Sequence, residues 1–161
     1  MDRRRLIGAL AGAAALPSLA KPASAEAGDI PARFAEALSA HDMARFAALF
    51  ADDYVNHQRS AAAPPPAPGA PAKKGTVAFF AARLAGLPDL KVSIETSLVA
   101  GDKVAASFVY EGTHQGVYFG VQPTGKKLRF TSCDIFRIEG GRIAEHWGMG
   151  DIAGILAQLK G

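Results

Sequence analysis

The sequence predicts an α+β domain: a curved antiparallel sheet wrapped by three N-terminal helices, then a short C-terminal helix. Three observations carry this. Apolar residues recur at helical spacing in the first part of the chain and switch to a period of two after Leu90. Turn sequences at Gly101-Asp102, Gln122-Pro123-Thr124-Gly125 and Gly140-Gly141 divide the second part into successive strands. A helical pattern returns after Asp151. Helices first and strands afterwards make an α+β order rather than an alternating α/β one.

Residues 1–25 read as an export leader. Arg3, Arg4 and Arg5 precede an apolar run from Leu6 to Ala20, and Pro22-Ala23-Ser24-Ala25 ends it on small residues, the order of a signal peptide. The run falls short of the roughly 20 residues of a spanning helix, and Pro17 interrupts it, which argues against an uncleaved anchor. The paired arginines before Leu6-Ile7 resemble a twin-arginine (Tat) signal, although Asp2 stands where Ser or Thr is usual; Sec export is the alternative. Cleavage after Ala25 would leave 26–161 as one domain, periplasmic or secreted, with no membrane attachment. The formal charge of +3 belongs to this leader, because acidic and basic residues balance in the rest. Without a basic stripe there is no expected nucleic-acid partner. One cysteine, Cys133, excludes a disulfide framework.

Ile30, Phe34 and Leu38 predict the first helix, with Asp29 as N-cap and Pro31 in its first turn. Asp42 would cap a second, carrying Met43, Phe46, Ala47 and Phe50. Tyr54-Val55-Asn56-His57 leaves it extended. The Pro/Ala-rich stretch 59–74 holds five prolines, which deny it a helix or an interior strand; it reads as a solvated loop, a semi-rigid arm or a lid. Val77, Phe80, Ala81 and Leu84 restore helical spacing until Gly86-Leu87-Pro88. Strands follow on Leu90, Val92 and Ile94, on Val104, Ala106, Phe108 and Tyr110, and on Leu128, Phe130, Ser132, Asp134, Phe136 and Ile138. A last strand spans 142–148, and Asp151 caps a helix bearing Ile152, Ile155, Leu156 and Leu159. Helices stacked on one face of such a sheet would enclose an apolar pocket at their mouth.

Asp134 is the most informative residue, because a carboxylate among Phe130 and Phe136 needs a partner. The Gly140-Gly141 turn decides which. A two-residue loop pairs Glu139 with Arg142 and Asp134 with Trp147. A three-residue loop with a left-handed Gly141 pairs Asp134 directly with His146, and this register is the expectation adopted. An Asp134–His146 pair would serve as acid and base near neutral pH, or would only fasten two strands. Phe108, Tyr110, Phe130 and Ser132 share its face and would line the pocket. Tyr54, Asn56 and His57 lie where the extended segment reaches the pocket mouth, and alternation sends one of Asn56 and His57 outward. In this register Trp147 lies beside Cys133 on the other face, suited to a dimer contact. Cys133 lacks an adjacent base, and His114 reads as a turn residue. The four histidines are too scattered for a metal site, and no loop cradles a phosphate, so neither metal nor cofactor is expected.

The motifs Asp53-Tyr54-Val55-Asn56-His57, Gly112-Thr113-His114-Gln115-Gly116, Pro123-Thr124-Gly125, the run Asp134 to Ile143 and Glu145-His146-Trp147 resemble the SnoaL-like polyketide cyclase (ester cyclase) family. The resemblance covers nearly all of 29–161. It implies the nuclear-transport-factor-like cone, a cystatin-like α+β barrel. It also implies a cofactor-independent aldol cyclisation, in which a carboxylate on the last strand removes a carbon-bound proton and a histidine on the preceding strand assists. Asn56 matches a position that touches substrate in that family. The family's carboxylate position falls at Gly148 here, however, and its histidine position at Asp134. The usual mechanism cannot be copied onto this chain. Two functions therefore stand: a cyclase or isomerase acting on a small carbonyl compound through Asp134 and His146, or a non-catalytic pocket protein that holds a small apolar ligand or dimerises on its sheet.

Overall fold

The computed structural model describes residues 22–58 and 69–161. In chain order it contains α1 (Ala23–Ser39), α2 (Met43–Ala48), β1 (Phe50–Asn56), α3 (Ala72–Gly86), β2 (Lys91–Ala100), β3 (Lys103–Thr113), β4 (Lys127–Glu139), β5 (Arg142–Gly150) and α4 (Ile152–Lys160). The strands form one curved, unclosed sheet in the order β1-β5-β4-β3-β2. The α+β class is as expected, but the sheet does not close into a barrel. Nor is it wholly antiparallel, because β1 lies between α2 and α3 in the chain and pairs parallel with β5.

Several boundaries differ from the expectation. Helix α1 begins at Ala23 after Pro22, so Asp29 is not its cap and Pro31 lies inside it. Ala27, Ile30, Phe34, Ala35 and Leu38 are buried along one side, and this packing outweighs the backbone hydrogen bond that Pro31 cannot make. The predicted cleavage point after Ala25 falls in this helix's first turn, whereas residues 1–21 of the leader lie outside the described residues. Helix α2 stops at Ala48, and Phe50 opens β1 instead. Of the Pro/Ala-rich stretch, 59–68 lie outside the described residues, while Ala72 to Lys74 belong to α3, for which Pro71 is the N-cap. The buried side of α3 is Thr76, Phe80, Arg83 and Gly86, one step round the helix from the predicted stripe.

The core is largely aromatic. Phe34 projects from α1 onto the sheet, with its ring 5.0 Å from Phe108 and 5.5 Å from Phe136. It also meets Phe46 of α2 at 5.0 Å and Phe80 of α3 at 5.4 Å. One side chain thus ties three helices to two strands. Such ring contacts are each worth about 0.5–1.5 kcal/mol beyond their buried area. On β2 the alternation fades: the register shifts between Ile94 and Thr96, Ile94 is exposed, and so is Leu98.

The β4–β5 hairpin sets the site. Gly140 and Gly141 both have positive φ, 55° and 71°, which suits a tight two-residue turn. Glu139 therefore pairs with Arg142, not Ile138 with Arg142 as the three-residue loop required. One extra residue follows in β5, because pairing steps from Ile138–Ile143 to Arg137–Glu145. Asp134 consequently faces Gly148, Phe136 faces His146, and Ile135 faces Trp147. The register is two residues away from the expected one. A shift of two leaves every side chain on its expected face, so His146 still points to the same side as Asp134.

Helix α4 closes the far end. Asp151 caps it through the Gly154 amide at 2.8 Å. Beyond Gly150, β4 has no strand on this side, and the Gln158 carboxamide takes that place, accepting from Arg129 N (2.9 Å) and donating to Arg129 O (2.8 Å). No helix among the described residues is long and apolar enough to cross a membrane.

Candidate active site

On the face covered by the helices, His146 Nε2 lies 2.7 Å from Asp134 Oδ1. The two are diagonal neighbours on β4 and β5, and their side chains are only 3% and 8% exposed. Gly148, directly opposite Asp134, makes the pair possible. A Cβ there would overlap the Asp134 carboxylate and come within 2.5 Å of His146 Nε2. The space that a side chain at position 148 would need is occupied by the carboxylate reaching across from β4.

Both ends of the pair continue into hydrogen-bonded chains. His146 Nδ1 meets the Tyr54 hydroxyl at 3.1 Å. Thr76 Oγ1 donates to Tyr54 Oη at 3.4 Å, and Asn56 Nδ2 donates to Thr76 Oγ1 at 3.3 Å. On the other side Ser132 Oγ donates to Asp134 Oδ2 at 2.5 Å and lies 3.3 Å from the Tyr110 hydroxyl. One placement of protons satisfies every link and runs both chains toward Asp134. In it the Asn56 amide donates to Thr76, Thr76 donates to Tyr54, Tyr54 donates to His146 Nδ1, and His146 donates from Nε2 to Asp134. Ser132 spends its proton on Asp134 and accepts from Tyr110. Both chains then end on the Asp134 carboxyl group. Burial raises the Tyr54 and Tyr110 hydroxyls above their ordinary range, so both remain protonated donors.

The remaining predicted residues divide clearly. Phe108 is fully buried against Phe34 and acts as core. Phe130 stacks on Tyr110 at 5.1 Å. His57 turns outward, pairs with Glu145 at 2.7 Å and stacks on Trp147 at 4.5 Å. Trp147 does face the open side of the sheet, but its strand neighbour is Ile135; Cys133 sits opposite Met149. His114 is buried, with Nδ1 accepting from the Thr124 amide at 3.2 Å. A cleft of about 490 Å³ lies at the start of α4, lined by Thr131, Cys133, Met149 and Ile152 among others; it reaches Ser132 but not Asp134 or His146. No cluster of His, Cys, Asp and Glu among the described residues could hold a metal ion. Sequence reasoning missed Thr76 and Arg83. Their signal was the spacing of Thr76, Phe80 and Arg83 at i, i+4, i+7 on one side of α3.

Comparisons with known proteins now bear on this geometry. Residues 29–159 match the model of the SnoaL-like polyketide cyclase family. Among solved structures, wild-type IdmH from Streptomyces antibioticus, described as a candidate polyketide cyclase, is 33% identical, with 83% of this chain and 98% of that one covered and a TM-score of 0.71. TsrD from Streptomyces laurentii is 25% identical over 84% of this chain and 95% of that one, with a TM-score of 0.71. AclR from Streptomyces galilaeus, described as a candidate hydroxylase, shares the fold at 23% identity, covering 85% of this chain and 82% of that one, with a TM-score of 0.72. No curated protein is similar enough in sequence to match.

Proposed function

The chain belongs to the SnoaL-like polyketide cyclase family, and we propose that it is a cofactor-independent proton-transfer catalyst of the cyclase or isomerase type, with Asp134 as its base. The observation that carries this is the convergence of two hydrogen-bonded chains on the buried Asp134 carboxyl group. The resembled family places its carboxylate on the last strand and its histidine on the preceding one. Here Asp134 supplies the carboxylate from β4, His146 supplies the imidazole from β5, and Gly148 leaves the room. The two partners have exchanged strands while remaining in contact.

The substrate is a small carbonyl compound with an acidic C–H beside one or two carbonyls. The carboxylate of Asp134 takes that proton. The C–H electron pair moves onto the carbonyl oxygen as an enolate. The enolate carbon then attacks a second carbonyl of the same molecule, closing a ring as the new alkoxide takes the proton back from Asp134, or the delocalised anion takes that proton back at a different carbon, giving an isomer. His146 and Ser132 hold the carboxylate in one orientation throughout.

The proposal includes export through the leader and assembly through the open face of the sheet. There Leu98, Ala105, Ile135 and Trp147 form one apolar row across four strands, suited to a second copy of the chain. Secreted protein should lack residues 1–25 by mass spectrometry. The functional test is deuterium uptake at the activated carbon of methyl acetoacetate. The parent should exchange faster than buffer, and Asp134→Asn should lower that rate by about two to four powers of ten. No exchange above buffer in the parent would remove the catalyst and leave a ligand-binding protein.

A further inference from the structure

Arg83 is the cation that the proton-transfer account has not used. It projects from α3 and is only 4% exposed. No carboxylate among the described residues pairs with it. Its Nε donates to the Tyr118 hydroxyl at 3.1 Å. Its guanidinium lies over the rings of Tyr110 at 4.6 Å, Phe80 at 4.9 Å, Phe79 at 5.0 Å and Phe130 at 5.2 Å. Taking a guanidinium out of water without a counter-charge is costly, and ring faces offset part of that cost. An uncharged side chain of similar length would fill the same cage with no such penalty.

The position of the charge supplies a reason for it. Arg83 touches Tyr110, Tyr110 meets Ser132, and Ser132 donates to Asp134. The cation is thus separated from the carboxylate by one phenol and one hydroxyl. Before proton transfer, Asp134 carries the negative charge. Afterwards Asp134 is neutral and the ligand oxygen carries it. Arg83 balances the site in both states, and the charge it balances moves from the protein onto the ligand.

We propose that Arg83 is the anion-stabilising residue of this site, receiving the oxygen of a 1,3-dicarbonyl ligand on which negative charge gathers as the enolate forms. This rests on the reading of Asp134 as base but is tested apart from it. Asp134 governs how fast a proton leaves carbon. Arg83 governs how much enolate exists at equilibrium. A guanidinium beside an acidic group lowers its pKa by about one to three units.

The experiment titrates acetylacetone with excess folded protein and follows the enolate by its ultraviolet absorption across pH. The parent should form enolate at lower pH than buffer does, with about ten- to a thousandfold more at a fixed pH below the midpoint. Asp134→Asn should keep this enrichment while losing deuterium exchange. Arg83→Met should lose the enrichment, and Arg83→Lys, which keeps the charge without the planar fork, should retain part of it. No enrichment in the parent, or equal enrichment in parent and Arg83→Met, would overturn the proposal. Should Arg83→Met fail to fold, Arg83→Lys decides: enrichment below the parent's supports the proposal, and enrichment equal to the parent's overturns it. Absent exchange in the parent with enrichment intact would sink the role of Asp134 alone.

Discussion

Two carboxylate–imidazole pairs sit on opposite faces of β5, and both close at 2.7 Å: Asp134–His146 on the covered face and Glu145–His57 on the open one. Glu145 and His146 are adjacent in sequence, so the strand's alternation alone sends them to opposite sides. The pairs differ in what surrounds them. The inner side chains are 3% and 8% exposed, whereas those of His57 and Glu145 are 37% and 26% exposed. The inner carboxyl group is hydrogen-bonded by an imidazole and a hydroxyl. The outer one is held by His57 and by Arg137. Those bonds, His57 first and Arg137 second, hold Glu145 below the usual carboxylate range and make it a weaker base. The same two functional groups at the same distance thus sit in opposite settings: the inner carboxyl group, proposed as the base, touches no cation among the described residues, whereas the outer one is tied to Arg137 at the surface.

The same amide substitution separates the two most sharply. Asp134→Asn should cost exchange of methyl acetoacetate about two to four powers of ten. Glu145→Gln should leave that rate unchanged. Equal losses in both variants would erase the distinction.

Gly148→Ala should give the next largest effect. Its Cβ would collide with both members of the inner pair, so folding stability should fall by about 1–3 kcal/mol, read from denaturant midpoints. The outer pair has no such dependence on the shape of the core. His57→Gln should shift the midpoint slightly at low salt and not measurably at high salt.

The inner pair of this contrast was legible in the sequence, whereas the pairing of His57 with Glu145 was not. The period-two pattern of β4 put Asp134 among phenylalanines, and the choice of a three-residue turn put His146 on the same face. The turn was not legible in full. Two adjacent glycines admit two loop lengths, and the extra residue in β5 leaves no sequence signal. The predicted contact survives because the register differs by two residues, which preserves the face. The cap at Asp29 failed because the burial of Ala27 and Ile30 extends α1 through Pro31. Thr76 and Arg83 escaped notice because polar residues on a helix face are read as solvent-facing. The direction of the hydrogen-bonded chains depends on tertiary contacts between β1, α3 and β5 that no local pattern encodes.

The smallest expected effect concerns acid stability. Glu145 sits below its ordinary value of 4.5, and Asp89, hydrogen-bonded by the amide and hydroxyl of Thr113, sits below 3.8. A carboxylate depressed on folding contributes stability that is complete above the unfolded value and lost as pH falls through the lower folded one. Thermal midpoints should therefore be level above those ordinary values and decline below them, with a shallower decline in Glu145→Gln. An unchanged slope in that variant would detach the outer pair from acid stability.

The protonation state of His146 tests the central claim most directly. Long-range proton–nitrogen correlation spectra distinguish the two neutral tautomers from the imidazolium. At neutral pH His146 should show a protonated Nε2 and a bare Nδ1. In Tyr54→Phe the Nδ1 resonance should move as its hydrogen bond is lost, while the ring stays neutral. An imidazolium at His146 in the parent, or a neutral ring carrying its proton on Nδ1, would mean that the chain through Tyr54 does not run toward Asp134, and the assignment of that carboxylate as the base would be wrong.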